Sequence, residues 1–429
     1  MSGLSGIDLL DLERWGRDGA PHEWFTRLRA EAPVWRHPGP DGPDGPGGFW
    51  VISCLDDVAA LGRCPHVLSS DQSVGGVTGL GPGDEFQKSF DDLFGTLGVD
   101  PLTMLGEEAK HLLTLDPPEH TSYRKLVNKG FTPRMIDGLE NGVRERVRSM
   151  LDEHPPGRTW DFVPEFAMPL PMSVIGDLVG APEEDHAQIM RWTNAAVSGT
   201  DPEYQGEQGA ELVATLALYQ YFTALRLERE AEPLDDLTTV LSRAEVDGEQ
   251  LSPVRFSIFL MLLASAGNET TRNAMAHGVW AFAQHPDQWV RLRDDPSLLD
   301  SAVEEVLRWA SPVLYFRRNA VADMEIGGCD VAAGELVSLW YVSANRDEAH
   351  FEDPFTFDIA RDPNHHVAFG GGGPHFCLGA SLARLELRVA LQEMLERYRS
   401  IEVVGDVERL RSNFLHGVKH LPVRFGAAR

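Results

Sequence analysis

The chemistry of this sequence centres on a cysteine that follows a run of glycines. The segment His366–Gly379 reads HVAFGGGGPHFCLG, so Gly370 to Gly373 stand just before Cys377. Glycine accepts positive φ angles, which lets such a loop lie flat against a large neighbouring group. A helix is expected directly after the cysteine, and its N-terminal N–H groups would stabilise a thiolate. The alternative interpretation is a glycine-rich turn that contains a buried structural cysteine.

A zinc site is another interpretation of this segment, because three histidines accompany the cysteine: His365, His366 and His375. A closed structural zinc site takes ligand pairs from two elements, and no second Cys/His pair is placed to complete one. The remaining cysteines are far apart and show neither disulfide nor zinc spacing: Cys54, Cys64 and Cys329. We therefore expect a reduced protein in which at most one cysteine does chemistry.

A carboxylate and a hydroxyl stand side by side in a second segment, ASAGNETTRN, as Glu269 and Thr270. On a helix, Ala266 and Thr270 share a face, so the threonine hydroxyl can bond back to the alanine carbonyl. Ala266 and Gly267 would let a flat group or a small ligand approach the backbone. A carboxylate next to a hydroxyl suits proton delivery, since the first draws protons from solvent and the second orders the acceptor. A surface glutamate beside an ordinary threonine is the alternative.

The elements that would position these residues are mainly helical. Residues 251–285 form a candidate helix on the order of 50 Å long, and Ser252–Pro253 is a suitable start. A final helix is expected from Leu378 to about Tyr398. Strand-like runs are short: Ala32–Arg36, Phe49–Ser53, Met324–Ile326 and Glu335–Tyr341. The turn-rich segment between the first two runs predicts a hairpin. The sequence predicts a single domain over residues 1–429, mainly α with a minor β part.

Composition and charge exclude several classes of protein. The net charge is −28, whereas a nucleic-acid binder needs clustered Lys and Arg over its surface. The longest apolar run, Phe256–Ala266, is about half of what a membrane-spanning helix needs. The N-terminus has no basic region followed by an apolar run, so no secretory signal is expected. These features predict a cytoplasmic protein with no nucleic-acid partner and no membrane anchor.

The segment FGGGGPHFCLG resembles the haem-binding loop of the cytochrome P450 family. That loop has a Phe, then glycines, a basic residue two before the Cys and a Gly two after it, which are here Phe369, Gly371 to Gly373, His375 and Gly379. The Phe-to-Cys spacing is one residue longer than usual. The extra glycine resembles a variant in actinobacterial enzymes that oxidise sterols and branched lipids. The resemblance implies haem b (iron protoporphyrin IX) with Cys377 as the axial iron ligand, whose thiolate favours O–O cleavage.

Three further motifs carry the same resemblance. AGNET resembles the family's acid–alcohol motif with Glu269 in place of the commoner Asp, which implies catalytic roles for Glu269 and Thr270. SAVEEVLRWASP and FEDPFTFDIAR resemble the segments that supply a structural ion network, here Glu305, Arg308 and Arg361. LDPPEHTSYRKLV, YFRRNA and the cysteine loop supply residues that match the family's haem-propionate binders: His120, Arg124, Arg318 and His375.

The resemblance implies a monomeric monooxygenase that uses O2 and electrons from a ferredoxin and its reductase. By resemblance the substrate pocket includes parts of residues 75–113 and 190–198, together with Leu262, Leu263, Val313, Leu314 and Leu415. These walls are largely apolar, so a hydrophobic small molecule is expected: a sterol, fatty acid or branched lipid, or alternatively a polyketide, terpenoid or peptide natural product. A peroxygenase or a non-catalytic haem protein is less well supported, since neither accounts for the Glu269–Thr270 pair.

A basic patch is expected to bind the ferredoxin, because the chain as a whole would repel an acidic partner. Its candidate cations lie in two segments: Arg124, Lys125, Lys129 and Arg134 in the first, and Arg384 and Arg388 in the helix after Cys377. By resemblance, both segments flank the thiolate side of the haem. Two ordinary solvated helix faces are the alternative interpretation.

Overall fold

A computed structural model describes residues 4, 6–39, 48–71, 110–197, 201–204, 209–246 and 249–427. The helices are α1 (Leu12–Asp18), α2 (His22–Glu31), α3 (Leu55–Gly62), α4 (Glu119–Val127), α5 (Pro133–Asp152), α6 (Pro169–Val179), α7 (Glu183–Val197), α8 (Ala210–Ala231), α9 (Leu237–Ser242), α10 (Pro253–Gln284), α11 (Pro286–Asp294), α12 (Leu299–Ala310), α13 (Tyr341–Ala344) and α14 (Ala380–Arg397). Short 3-10 segments cover Asn128–Phe131 and Pro296–Leu298, and a π-helical turn covers Val163–Ala167.

The strands are short and mostly lie toward the two ends of the chain. They are β1 (Val34–His37), β2 (Phe49–Ile52), β3 (Leu68–Ser69), β4 (Thr159–Asp161), β5 (Glu245–Val246), β6 (Glu249–Gln250), β7 (Tyr315–Ala320), β8 (Met324–Ile326), β9 (Cys329–Val331), β10 (Leu336–Trp340), β11 (Tyr398–Val403), β12 (Glu408–Arg409), β13 (Val418–His420) and β14 (Pro422–Ala427). The predicted class, mainly α with a minor β part, is confirmed.

Helix α10 is the central element of the fold. The Ser252 hydroxyl accepts the Arg255 N–H at 3.2 Å, and Pro253 occupies the first turn, where its missing N–H is tolerated. The helix has 32 residues, which is about 48 Å at the usual rise of about 1.5 Å per residue. It packs against α6, α8 and α12, and most of its second half is buried. The predicted start and end of this helix are confirmed to within two residues.

The largest sheet joins the two ends of the chain. Its order is β1-β2-β10-β7-β3. Strands β1 and β2 form the predicted antiparallel hairpin, with Val34 opposite Ile52, although residues 40–47 of its loop lie outside the described residues. Strand β10 then pairs in parallel with β2 and antiparallel with β7. Tyr341, which was predicted to end this strand, instead begins α13, whose four residues are all buried.

The hydrophobic core consists of one large cluster and two smaller ones. The large cluster packs α4 to α12 and α14 around α10, while the two smaller clusters cover the faces of the five-stranded sheet.

In the part of the chain that is described, no helix combines the length and apolar character that crossing a membrane requires.

Candidate active site

The glycine loop is shaped by helix α3. Gly370, Gly372 and Gly373 have φ angles of +96°, +97° and +77°, a region that disfavours residues with a Cβ. A Cβ on Gly373 would lie 2.5 Å from the Gly62 carbonyl oxygen, and one on Gly371 would lie 2.7 Å from that of Val58. The large neighbour on this side of the loop is therefore the end of α3.

Cys377 lies between this loop and helix α14. Its N–H donates to the Phe369 carbonyl at 3.0 Å, which closes the loop immediately before the helix. The side chain is accessible, but the space that it faces is a cavity inside the protein. Burial raises the pKa of the Cys377 thiol, while the Gly379 N–H and the cations of Arg124 and Arg384 act in the opposite direction. The Gly379 N–H and the two arginines thus provide the hydrogen bond and the positive charges that stabilise a thiolate at this position.

The cavity brings the two chemical segments of the sequence together. It holds about 1430 Å³ of empty space, including the part open to solvent. Phe369, Cys377 and Gly379 lie on one side, and Ala266, Gly267 and Thr270 of α10 also line it. A Cβ on Gly379 would meet no protein atom outside its own chain neighbours within 4 Å, so this glycine leaves room in the cavity rather than relieving a contact within the protein.

Thr270 and Glu269 are held in different ways. The Thr270 hydroxyl donates to the Ala266 carbonyl at 2.8 Å, as the sequence predicts, and its side chain lines the cavity. Glu269 is buried and forms an ion pair with Arg272, three residues further along α10. Arg272 in turn donates to the Asn194 side chain of α7 at 3.2 Å. Glu269 is thus engaged by a cation that the sequence analysis missed, although the spacing of three residues could have revealed it.

Four basic side chains converge on another part of the cavity wall: His120, Arg124, Arg318 and His375. The rings of His120 and His375 are 4.3 Å apart, and burial, with the neighbouring arginine charges, lowers their pKa values to about 4 and about 3. Both ring nitrogens of His120 are buried without a hydrogen-bond partner. Within the described residues, neither arginine has a carboxylate as an ion-pair partner.

These basic residues fit a ligand that carries carboxylates. Arg124 donates to the Pro374 carbonyl at 2.9 Å, which holds α4 against the cysteine loop. Ser70, a residue that the sequence analysis missed, lies with its hydroxyl 3.0 Å from His375 Nε2. The cations, the orphaned ring nitrogens and the open thiol together suit a haem, whose two propionates need positive partners and whose iron needs an axial ligand.

In the ion network behind the site, Glu305 and Arg308 are fully buried and Arg361 is partly buried. Arg308 bonds Glu305 through two hydrogen bonds of 2.7 and 2.8 Å, and Arg361 Nε lies 3.2 Å from the same carboxylate. Arg308 also donates to the carbonyls of Asn345 and Pro354. The structure therefore brings together the three residues that the sequence placed in one network. Their contacts connect α12 to the irregular segment before the cysteine loop.

The residues expected in the substrate pocket separate into two groups. Leu262, Leu263 and Val313 line the cavity. Leu314 lies instead in the core cluster around Trp340, and Leu415 is buried opposite Val313 in a backbone bridge, so neither lines the cavity. Side chains alternate along an extended segment, which is why Val313 and Leu314 face different ways. Residues 75–109 and 198 of the expected pocket lie outside the described residues.

Comparison with known proteins assigns the chain to a family. The sequence profile of the cytochrome P450 family matches residues 224–420. A methyl-branched lipid omega-hydroxylase of Mycobacterium tuberculosis (strain CDC 1551 / Oshkosh) is 41% identical over 432 residues, covering 98% of this chain and 95% of the relative. The chain belongs to the cytochrome P450 family. A steroid C26-monooxygenase of Rhodococcus jostii (strain RHA1) is 38% identical, covering 99% of this P450 and 85% of the relative.

Solved structures agree with this assignment. The P450 superimposes on a Mycobacterium marinum cytochrome P450 in complex with pseudoionone with a TM-score of 0.86, 36% identity and 98% coverage of both chains. The predicted resemblance to bacterial P450s of the actinobacterial type is confirmed. The P450 is accordingly a monooxygenase with a haem b cofactor, which uses O2 and redox partners to hydroxylate a hydrophobic substrate.

Proposed function

We propose that Cys377 is the axial haem ligand and that the enzyme hydroxylates a methyl-branched aliphatic chain, carried by a lipid or a steroid. The observation that carries the proposal is one cavity in which the Cys377 thiol, the basic cluster and the Thr270 hydroxyl all meet. When bound, the haem supplies the activation of O2. The chain's own residues hold it, exclude water and deliver protons.

Each side chain has a defined part in this proposal. His120, Arg124, Arg318 and His375 would bind the two propionates of the haem and so hold the cofactor in the cavity. Ala266 leaves room on α10 for O2, because it carries no bulky side chain there. Gly267 lets Ile175 pack against the helix, since a Cβ on Gly267 would lie 2.6 Å from Ile175 Cδ1. Thr270 holds a water or acceptor oxygen by its hydroxyl, and Glu269 passes protons to it from outside. For that transfer Glu269 must first leave Arg272, since the two now form an ion pair.

The proposed substrate class follows from the cavity wall and from the relatives. The wall beyond the thiol is built from apolar side chains: Phe131, Ile175, Phe259, Leu262, Leu263 and Val313. Such a wall orients an aliphatic chain through shape and apolar contact, with few directional bonds. Two relatives, 41% and 38% identical, are named for methyl-branched lipid and steroid oxidation. We place this P450 with them in substrate class.

The test of Cys377 is spectroscopic. Cys377→Ser is expected to leave a protein whose reduced CO complex lacks the strongly red-shifted Soret band of thiolate ligation. Cys329→Ser is the matched control, because Cys329 is a free cysteine on β9, outside the cavity. A Cys377→Ser protein that keeps the red-shifted band would show that the ligand lies elsewhere.

A binding screen tests the substrate class. Titration of the purified enzyme with methyl-branched fatty acids, sterols, linear fatty acids and macrolides should shift the haem from low to high spin. We expect the tightest binding from the first two groups. Tightest binding by a macrolide would instead support a role in natural-product tailoring.

We further propose that a ferredoxin and its reductase supply the electrons, and that the enzyme acts as a cytoplasmic monomer. The support for the ferredoxin is an exposed lysine, Lys125, on the helix that Arg124 holds against the cysteine loop. Turnover with NADPH, ferredoxin and reductase, compared with turnover driven by peroxide alone, separates this proposal from a peroxygenase.

A further inference from the structure

Arg384 of α14 is held in place from two sides. Its Nε and Nη2 donate to Glu304 Oε1 and Oε2 at 2.6 and 2.7 Å, so the pair is bidentate. The guanidinium carbon lies 4.5 Å from the centre of the Phe369 ring, at cation–π distance. His366 Nε2 lies 3.1 Å from the same Glu304 carboxylate. Arg384, which the sequence predicts to be a docking cation, is thus fixed by groups from α12 and from the cysteine loop.

Phe369, whose ring Arg384 covers, is also hydrogen-bonded to the backbone of Cys377. The carbonyl of Phe369 accepts the Cys377 N–H at 3.0 Å, and the Phe369 side chain lines the cavity. A movement of Phe369 would therefore change both the shape of the loop and the hydrogen bond next to the sulfur. A planar guanidinium restricts an aromatic ring better than a flexible ammonium does.

Both members of the Arg384–Glu304 ion pair are charged near neutral pH. Burial opposes ionisation of Glu304, but the hydrogen bonds from Arg384 and His366 outweigh it and lower the Glu304 pKa to about 2. Arg384 therefore always has an ionised partner near neutral pH.

We propose that Arg384, clamped by Glu304, is a positioning residue for the haem thiolate: it immobilises Phe369, whose carbonyl accepts the Cys377 N–H, and it holds a positive charge against the cysteine loop. The inference rests on the proposed role of Cys377 as the ligand. A cation near the ligand favours the state with one more electron, so Arg384 should raise the haem reduction potential. Restricting the loop should also keep the thiolate bound.

The same helix provides a matched control. Arg388 lies four residues further along α14 and pairs with Glu140 of α5 at 3.2 Å. The side chains of Arg384 and Arg388 are 37% and 39% exposed, so the two ion pairs are equally accessible to solvent. Neither arginine lines the cavity, and Arg388 makes no cation–π contact with a described aromatic ring, whereas Arg384 contacts Phe369. Arg388→Gln therefore removes a similarly exposed ion pair from the same helix without touching Phe369.

The experiment uses haem-loaded protein and two readouts that are independent of turnover. Arg384→Gln is expected to lower the midpoint potential in an equilibrium redox titration. Its reduced CO complex should lose the red-shifted Soret band on the order of ten times faster than that of the unsubstituted enzyme, the effect of one lost charge-assisted contact. Arg388→Gln should change neither quantity. Arg384→Lys should keep the potential, because the charge remains, but should lose the band faster, because the planar clamp is gone.

The outcomes distinguish this inference from the proposed function. If Arg384→Gln and Arg388→Gln give the same potential and the same rate of band loss, the positioning role is wrong. If the unsubstituted enzyme shows no red-shifted band, the role of Cys377 itself fails. Should Arg384→Gln not fold, Glu304→Gln and Arg384→Lys carry the test, since both are expected to accelerate band loss relative to Arg388→Gln.

Discussion

Thr270 and Glu269 differ in how much each contributes to the stability of the protein besides its proposed role in catalysis. The Thr270 hydroxyl bonds the Ala266 carbonyl, and its side chain faces the cavity. Glu269 is an ion-pair partner of a fully buried arginine. Thr270 and Glu269 are neighbours in sequence and belong to one proposed proton path. Because their contacts differ, we expect them to respond very differently to substitution.

Thr270→Ala is expected to leave folding and substrate affinity nearly unchanged while uncoupling the reaction. Only a group that acts after substrate has bound should behave in this way. NADPH should still be consumed, with hydrogen peroxide released in place of product. The measurement is product formed per NADPH, with Thr270→Ser as the control that keeps the hydroxyl. An unchanged ratio in Thr270→Ala would remove Thr270 from the mechanism.

Glu269→Gln is expected to reduce stability as well as turnover. The substitution leaves the guanidinium of Arg272 buried without a counter-charge, which costs about 3 kcal/mol in comparable buried pairs. Urea unfolding of Glu269→Gln and Thr270→Ala, compared with the unsubstituted enzyme, should show this loss only in the first. Equal stability of the two variants would mean that the ion pair is dispensable, and the turnover defect could then be assigned to proton transfer alone.

At the scale of elements, the sequence predicts the helices and the cysteine loop, but it does not predict which other elements pack against them. The cap at Ser252 and the apolar spacing after Cys377 are local signals, so the ends of α10 and α14 follow from the sequence to within about two residues. The parallel pairing of β2 with β10 joins segments from opposite ends of the chain, and no local signal encodes it. The packing of α3 on the glycine loop is equally non-local.

Gly373→Ala is expected to destabilise the loop by about 1–3 kcal/mol, because the new Cβ would collide with the end of α3. Gly328→Ala is the control: its φ of +78° matches the +77° of Gly373, but a Cβ there would meet nothing within 4 Å. The difference between the two variants in urea unfolding isolates the collision from the backbone strain. Haem retention on a desalting column should fall only in Gly373→Ala. Equal losses in both variants would mean that strain alone fixes the glycine.

At the scale of the whole molecule, ion pairing changes the expected docking surface. Of the six cations assigned to it, Arg384 and Arg388 are paired with Glu304 and Glu140, and Arg124 lines the cavity. The side chains of Lys129 and Arg134 lie outside the described residues. The positions of charges can be read from the sequence but their partners cannot, because those partners come from α5 and α12, far away along the chain. Lys125 remains exposed and without an ion pair among the described residues.

Lys125 therefore carries the docking hypothesis. On a protein of net charge −28, one exposed cation on the helix that contacts the cysteine loop should have a large local effect, because an acidic ferredoxin is repelled elsewhere. Lys125→Glu should slow reduction of the enzyme by ferredoxin and weaken the salt dependence of that rate, while substrate binding stays unchanged. Arg399→Glu is the control, since it makes the same charge change at an exposed position beyond the far end of α14. The double reversal of Lys125 and Lys129 should enlarge the effect. If Lys125→Glu and Arg399→Glu slow reduction equally, the ferredoxin senses the total charge of the enzyme and α4 is not its docking site.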